Sequence, residues 1–87
     1  MNENILRKLE QKIQDTISSK DEIKQLIESL STIDSSRPFV LGIAVGRIYN
    51  AFFYQSKRIL NREPTKQEFD EFLEFIKNKK SDLENLW

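Results

Sequence analysis

The first third of the chain has the residue spacing of a packed helix. One face recurs at alternating intervals of three and four residues, at Leu6, Leu9, Ile13, Thr16, Lys20, Ile23, Ile27 and Leu30. This is the a/d spacing of helices that pack along one stripe, and further apolar positions beside it widen the stripe to suit a bundle. The pattern therefore predicts a helix over about 4–33.

Polar side chains weaken this stripe at residues 16–21 and leave two interpretations open. In the first, which we favour, one long helix continues because no Gly or Pro interrupts it and the heptad phase is kept. In the second, Ser19 and Glu22 form a capping box that opens a new helix. A break near 18–21 would then give a helical hairpin and four helices in all.

The middle segment, about 37–61, predicts a helix that is apolar on nearly every face as far as Tyr54. Serines followed by Pro38 are typical of a helix start, and Pro64 excludes a helix that runs on beyond the preceding residues. A helix without a polar face is normally covered on more than one side. We therefore expect this helix to lie buried at the centre of the fold.

The last segment begins with a second capping box, formed by Thr65 and Glu68, and predicts a helix from about 65 to 80 and beyond. Its expected core stripe consists of Phe69, Phe72, Leu73 and Ile76. The connections are short, so neighbouring helices should be antiparallel. We predict an all-α fold for residues 1–87, a single domain built as a small antiparallel bundle of three long helices.

Composition excludes several classes of function. The 87 residues contain no His and no Cys, so His-assisted nucleophiles are ruled out and a structural zinc site is not expected. Cysteine-free chains suit a reducing compartment, and no apolar run is long enough to span a membrane. We expect a cytoplasmic protein without membrane, cofactor, metal site or catalytic residues, and not an enzyme.

Two glycines four residues apart, Gly42 and Gly46, predict a close helix crossing. Each costs a helix about 1 kcal/mol relative to Ala, which a packing benefit should offset. The crossing partner is either another helix of this chain or a second subunit. Arg47 lies beside them in the most apolar segment, where it either reaches water along the helix edge or pairs with an acid. Phe75 and Trp87 fall outside the expected core stripe and are further interface candidates.

Charge is unevenly distributed although the 14 basic and 14 acidic residues balance. Residues 36–62 carry five bases and no acid, while residues 63–87 carry a net charge of −3. The structural interpretation is that this basic segment forms surface ion pairs with the acidic helix that follows. The alternative is a nucleic-acid surface that combines stacking aromatics with cations, with Arg47, Tyr49, Asn50, Tyr54, Lys57, Arg58 and Arg62 as the candidate residues.

These observations favour a small, non-catalytic helical module for protein–protein interaction or assembly. We expect it to self-associate as a homo-oligomer or to bind a protein partner, because a core of this size leaves apolar surface uncovered. Nucleic-acid binding by the segment 36–62 is the alternative function. It is not favoured, because the chain as a whole has a net charge of zero.

Overall fold

The protein is an all-α bundle. The computed structural model describes residues 1–30 and 37–85. Helices account for 86% of these residues, which include no strand, and the fold class predicted from the sequence is confirmed. The helix count differs from the prediction, since the described helices are α1 (Glu3–Ser18), α2 (Lys20–Ser29), α3 (Arg37–Leu60), α4 (Lys66–Asn78) and α5 (Lys80–Glu84).

The prediction of a single N-terminal helix is wrong, because α1 ends and α2 begins at Ser19. The predicted capping box is absent, because the Ser19 side chain makes no capping hydrogen bond. Backbone bonds nevertheless bridge the break: the Ser19 N–H donates to Asp15 at 3.0 Å, and the Ile23 N–H donates to Ser19 at 3.0 Å. The break is therefore a local distortion and not the turn of a helical hairpin, and the apolar stripe keeps its phase into α2.

The seam between α1 and α3, which we call the α1–α3 seam, is the most closely packed part of the fold. The backbones of these two helices run side by side along most of α1. The face of α1 turned towards α3 is completely buried and consists of Ile5, Leu9, Ile13 and Thr16. Leu6, which belongs to the predicted stripe, is exposed beside Ile5.

Helix α3 is covered on more than one side, as predicted, but it is not buried at the centre of the fold, because one of its faces is open to solvent. Every fourth residue is buried: Val40, Ala44, Ile48, Phe52 and Ser56. The opposite positions, which we call the outer face of α3, are all exposed: Gly42, Gly46, Asn50, Tyr54 and Arg58. An apolar composition did not imply full burial, since a bundle of this size supplies too few neighbouring helices to surround α3.

Helix α4 begins at the capping box that the sequence predicts. The Glu68 N–H donates to Thr65 Oγ1 at 3.1 Å, and the Thr65 N–H donates to Glu68 Oε1 at 2.9 Å. Helix α3 ends just before, at Leu60, and Asn61 adopts a positive φ of 59°. This left-handed residue is a common helix terminator and lets the chain reverse within a few residues.

The direction of α4 follows from its contacts. Along α3 towards its N-terminus, Phe52 stacks on Phe72, whereas Val45 lies beside Ile76 and Leu83. Helix α4 is therefore antiparallel to α3, as predicted. On the other side, Lys79 at the end of α4 pairs with Glu10 of α1 at 2.7 Å. Helix α4 therefore faces both α3 and α1, and one side of α3 is left open.

Candidate interaction surface

The open side of the bundle carries an apolar groove between α3 and α4. This α3–α4 groove has a volume of about 440 Å³ and is lined by Gly42, Val45, Gly46, Tyr49, Phe69, Phe72 and Leu73. A smaller groove of about 270 Å³ adjoins it at Val45 and reaches α5. The two grooves form one continuous apolar surface, a type of feature that marks interaction sites in small proteins.

Aromatic side chains explain why a groove lies here. The rings of Phe52 and Phe72 stack with their centroids 4.5 Å apart, and the ring of Tyr49 lies 5.7 Å from that of Phe72. Phe69 also contacts Tyr49, at 6.1 Å. Rings of this size between the helices keep the α3 and α4 backbones apart, and those backbones come close at very few points. The space above the rings remains open.

The two glycines lie on the exposed wall of this groove. No atom of the described residues lies within 4 Å of a Cβ built at Gly42 or at Gly46. The prediction that another helix in the described part of this chain crosses closely here is therefore wrong, because such a crossing would bring atoms against these positions. Crossing by a second subunit stays a prediction.

The exposed and buried sides of α4 differ from the expected core stripe. Phe75, an interface candidate from the sequence, is buried at 8% exposure and packs in the core beneath Lys79. Leu73, which we expected in the core, is 48% exposed on the groove. The helix is rotated because it faces α1 as well as α3, and Phe75 on that side completes the core. Trp87 lies outside the described residues.

Sequence reasoning missed Leu73, Val45 and Phe69 as surface residues. The available signal was the width of the apolar stripe on α4, where five apolar positions occupy a helix of 13 residues. A stripe of that width exceeds what one narrow contact can cover, so some of it had to remain accessible.

Arg47 borders the outer face of α3 on the side nearer α1. The four-residue period of α3 places it in line with Ala51 and Gln55, which lie beside α1. It is half-buried, and the ion pairs within the described ranges do not include it. This arrangement matches the interpretation in which the aliphatic stem packs on the helix edge and the guanidinium reaches water.

The structure distributes six of the seven nucleic-acid candidates over three sides of α3, and the seventh, Arg62, lies beyond the C-terminus of this helix. Asn50, Tyr54 and Arg58 share the outer face, whereas Arg47 lies on the α1 side. On the α4 side, the Tyr49 ring packs against phenylalanines. The outer face therefore brings together one aromatic ring and one cation, Tyr54 and Arg58, whereas Tyr49 and the other cations lie elsewhere.

Two cations of the basic segment are engaged in ion pairs, as the structural interpretation expects. Lys57 Nζ lies 3.8 Å from a Glu63 oxygen. The Arg62 guanidinium donates to both carboxylate oxygens of Glu68, at 2.7 and 3.2 Å. Surface ion pairs of this kind contribute little stability each, but they neutralise charge that a phosphate backbone would otherwise contact.

Glu68 is the one acidic group here with a strongly altered pKa. Hydrogen bonds from Arg62 and from the Thr65 N–H lower the pKa of its carboxyl from 4.5 to about 2. The same hydrogen bond and charge raise the pKa of Arg62 above its usual value. The pair therefore stays ionised at all ordinary pH values and serves to fix the start of α4.

In the part of the chain that the structure describes, no three acidic side chains are grouped closely enough to hold a metal ion. No helix there is long and apolar enough to cross a membrane. Comparison with protein-family models, with curated proteins and with solved structures gave no match.

Proposed function

We propose that this protein is a small, non-catalytic helical module that self-associates through the α3–α4 groove. The observation that carries the proposal is an exposed apolar groove whose walls combine two glycines with Tyr49, Phe69 and Leu73. Glycines on the outer face of a water-exposed helix lower its stability, and the described residues of the chain offer them no packing benefit in return. Close approach of another subunit supplies the missing benefit.

The amount of surface supports the same function. The accessible surface is 5864 Å², about 500 Å² more than the roughly 5,400 Å² of a compact monomer of this mass. A standard protein–protein interface covers about 800 Å² on each partner. The excess is thus of the order that one subunit contact removes from water.

The proposal assigns no catalysis to the chain and places it in the cytoplasm. The absence of His and Cys supports both parts, since it removes the commonest acid–base and nucleophilic side chains and suits a reducing compartment. Nucleic-acid binding is the weaker alternative, because Lys57 and Arg62 are engaged in ion pairs and the outer face of α3 combines a single ring with a single cation.

Sedimentation velocity or light scattering over a range of concentrations tests self-association. We expect a dimer or larger species at micromolar concentration, because the apolar groove is removed from water on association. A monomeric mass at several hundred micromolar would contradict the proposal. Binding to labelled single-stranded nucleic acid with a steep salt dependence would favour the alternative instead.

A further inference from the structure

A polar groove lies between α1 and α3, on the side that α4 does not cover. This groove, which we call the basic groove, has a volume of about 160 Å³ and is lined by Lys8, Gln11, Lys12, Asp15, Ala51 and Gln55. Ala51 accounts for the depression, because its methyl group leaves space between the longer side chains of the two helices. The basic groove thus has one wall on each helix and is separate from the α3–α4 groove.

The α1 wall of the basic groove carries two cations one helical turn apart. Lys12 is half-buried and Lys8 is exposed, and like charges at this spacing destabilise an isolated helix. The one carboxylate in the lining is Asp15. Neither lysine forms an ion pair with it or with any other acid among the described residues. The two ammonium groups therefore lack a close partner of opposite charge.

The α3 wall adds two arginines to the same groove. The guanidinium of Arg58 lies 3.5 Å from Gln55 Oε1, which places it at the edge of the lining. Arg47 lies one turn before Ala51, in line with it along the helix. Helix α3 contains no Asp or Glu, and neither arginine belongs to an ion pair of the described chain. Two lysines and two arginines therefore border one groove from opposite sides.

Cations in other parts of the molecule have acidic partners. Five of them lie 3.8 Å or less from a carboxylate oxygen: Lys57, Arg62, Lys66, Lys79 and Lys80. Their charge is compensated within the fold. The four cations of the basic groove have no such partner in the described ranges, so their charge is available to a ligand.

We propose that the basic groove binds an acidic peptide segment of a partner protein, with Asp or Glu side chains between the lysines of α1 and the arginines of α3. Charge complementarity selects this partner. The amides of Gln11 and Gln55 are further donors for the carboxylates or the peptide backbone. Phosphate ligands fit less well, because Asp15 repels a dianion more strongly than a carboxylate and the described lining offers no ring on which a base could stack. This site does not depend on self-association.

The first experiment measures the binding of a fluorescein-labelled oligoglutamate peptide by anisotropy. We expect binding at low salt that weakens as added salt screens the exposed charges. The double variant Lys8→Gln/Lys12→Gln should lower the affinity about tenfold. The control Lys20→Gln/Lys77→Gln removes the same charge from two exposed lysines outside the groove and should leave the affinity nearly unchanged. No binding at low salt, or equal losses in the two double variants, would overturn the proposal.

The second experiment tests whether the peptide lies in the groove. Ala51→Leu fills the floor without changing the charge, whereas Ala51→Ser keeps the floor low. We expect Ala51→Leu to weaken peptide binding while the helical circular dichroism spectrum is kept, and Ala51→Ser to bind as the wild type does. Unchanged affinity in a folded Ala51→Leu variant would show that the peptide does not occupy the groove and would overturn the proposal.

The third experiment compares classes of anion on the same protein. Labelled oligothymidylate and vesicles that contain phosphatidylserine are titrated at the salt concentration used for the peptide. We expect both to bind more weakly than oligoglutamate. Tighter binding of either one, lost in Lys8→Gln/Lys12→Gln, would assign the groove to a phosphate-bearing ligand and overturn the acidic peptide as its occupant.

Discussion

The two sides of α3 are packed in different ways. Towards α1, aliphatic side chains such as Leu9 and Ile13 are completely buried and the two backbones run close together. Towards α4, aromatic rings such as Phe72 and Tyr49 fill the space and the backbones stay apart. The same helix thus has one closed contact and one open groove.

This difference separates a tightly packed part of the fold from a part that leaves apolar surface exposed. Small aliphatic side chains at every third or fourth position interdigitate and leave no apolar surface exposed between the helices. The α1–α3 seam should therefore hold the bundle together. Large rings on α3 and α4 contribute buried area, but they also hold the helices apart and leave accessible apolar walls. We therefore expect the α1 side of α3 to contribute most of the folding energy, and the α4 side is where we propose binding.

The largest expected effect comes from shortening a leucine on each side. Leu9→Ala removes a fully buried side chain from the α1–α3 seam and should lower the free energy of unfolding by about 2–5 kcal/mol. Leu73→Ala removes a half-exposed side chain, and we expect a loss below about 1 kcal/mol in the monomer. Urea denaturation at low protein concentration measures both. Equal losses would show that the groove side belongs to the core as fully as the seam does.

The same threonine-to-valine change should have opposite effects on the free energy of unfolding at two positions. The Thr16 hydroxyl is buried in the α1–α3 seam without a hydrogen-bond partner among the described residues, so Thr16→Val should raise stability by about 1 kcal/mol. Thr65 caps α4 through its hydroxyl, and Thr65→Val should lower stability by about 1 kcal/mol. The melting temperatures of both variants, compared with that of the wild type, test the two expected signs. A loss at Thr16 would mean that its hydroxyl has a partner, such as a buried water.

Replacing a groove glycine should stabilise the monomer and weaken association. Gly46→Ala adds a methyl group where no described atom lies within 4 Å, so the better helix propensity of Ala should add up to about 1 kcal/mol to monomer stability. In the dimer the same methyl group occupies the crossing, and the dissociation constant should rise. Denaturation of dilute protein and sedimentation of concentrated protein measure the two effects. Destabilisation of the dilute protein would indicate a close contact within the chain.

The smallest expected effect is a pH dependence at the connection between α3 and α4. The pKa of Glu68 in the folded state, about 2, lies below its ordinary value of 4.5. The unfolded chain therefore binds the proton more readily, and the contribution of Glu68 to stability is fully present above about pH 4.5 and is lost as the pH falls towards 2. The stability difference between wild type and Glu68→Gln should shrink over this range. A difference that stays constant from pH 6 to 2.5 would place the anchoring of α4 elsewhere.

Local signals in the sequence predicted the fold well. The capping box at Thr65 and Glu68 forms as expected, since both partners lie within one helical turn and need no other part of the chain. The heptad phase of α1 and α2 also holds across Ser19 at Ile23 and Ile27. These features depend on residues that are close in sequence, where spacing alone fixes the geometry.

The rotation of α3 and α4 was harder to predict. Helix α3 offers apolar residues on nearly every side, so its pattern does not say which face becomes the core. The outcome depends on where α1 and α4 pack, which selected Ala44 and Ile48 and left Gly46 outside. Likewise Phe75 rather than Leu73 is buried, because α4 contacts two helices. Each site residue that sequence reasoning misplaced lies on one of these two broad stripes.

The break at Ser19 has a consequence for the local opening of the molecule. Helix α2 has only 10 residues, its start lacks a side-chain cap, and Ile23 and Ile27 are its only fully buried apolar residues. Helices this short are marginal in water, so α2 depends on those two contacts for its order. We expect its amide protons to exchange with deuterium well before those of the middle of α1, although the two helices share one stripe. Ser19 would then mark the boundary between a slowly exchanging unit and a part of the bundle that opens without the rest unfolding.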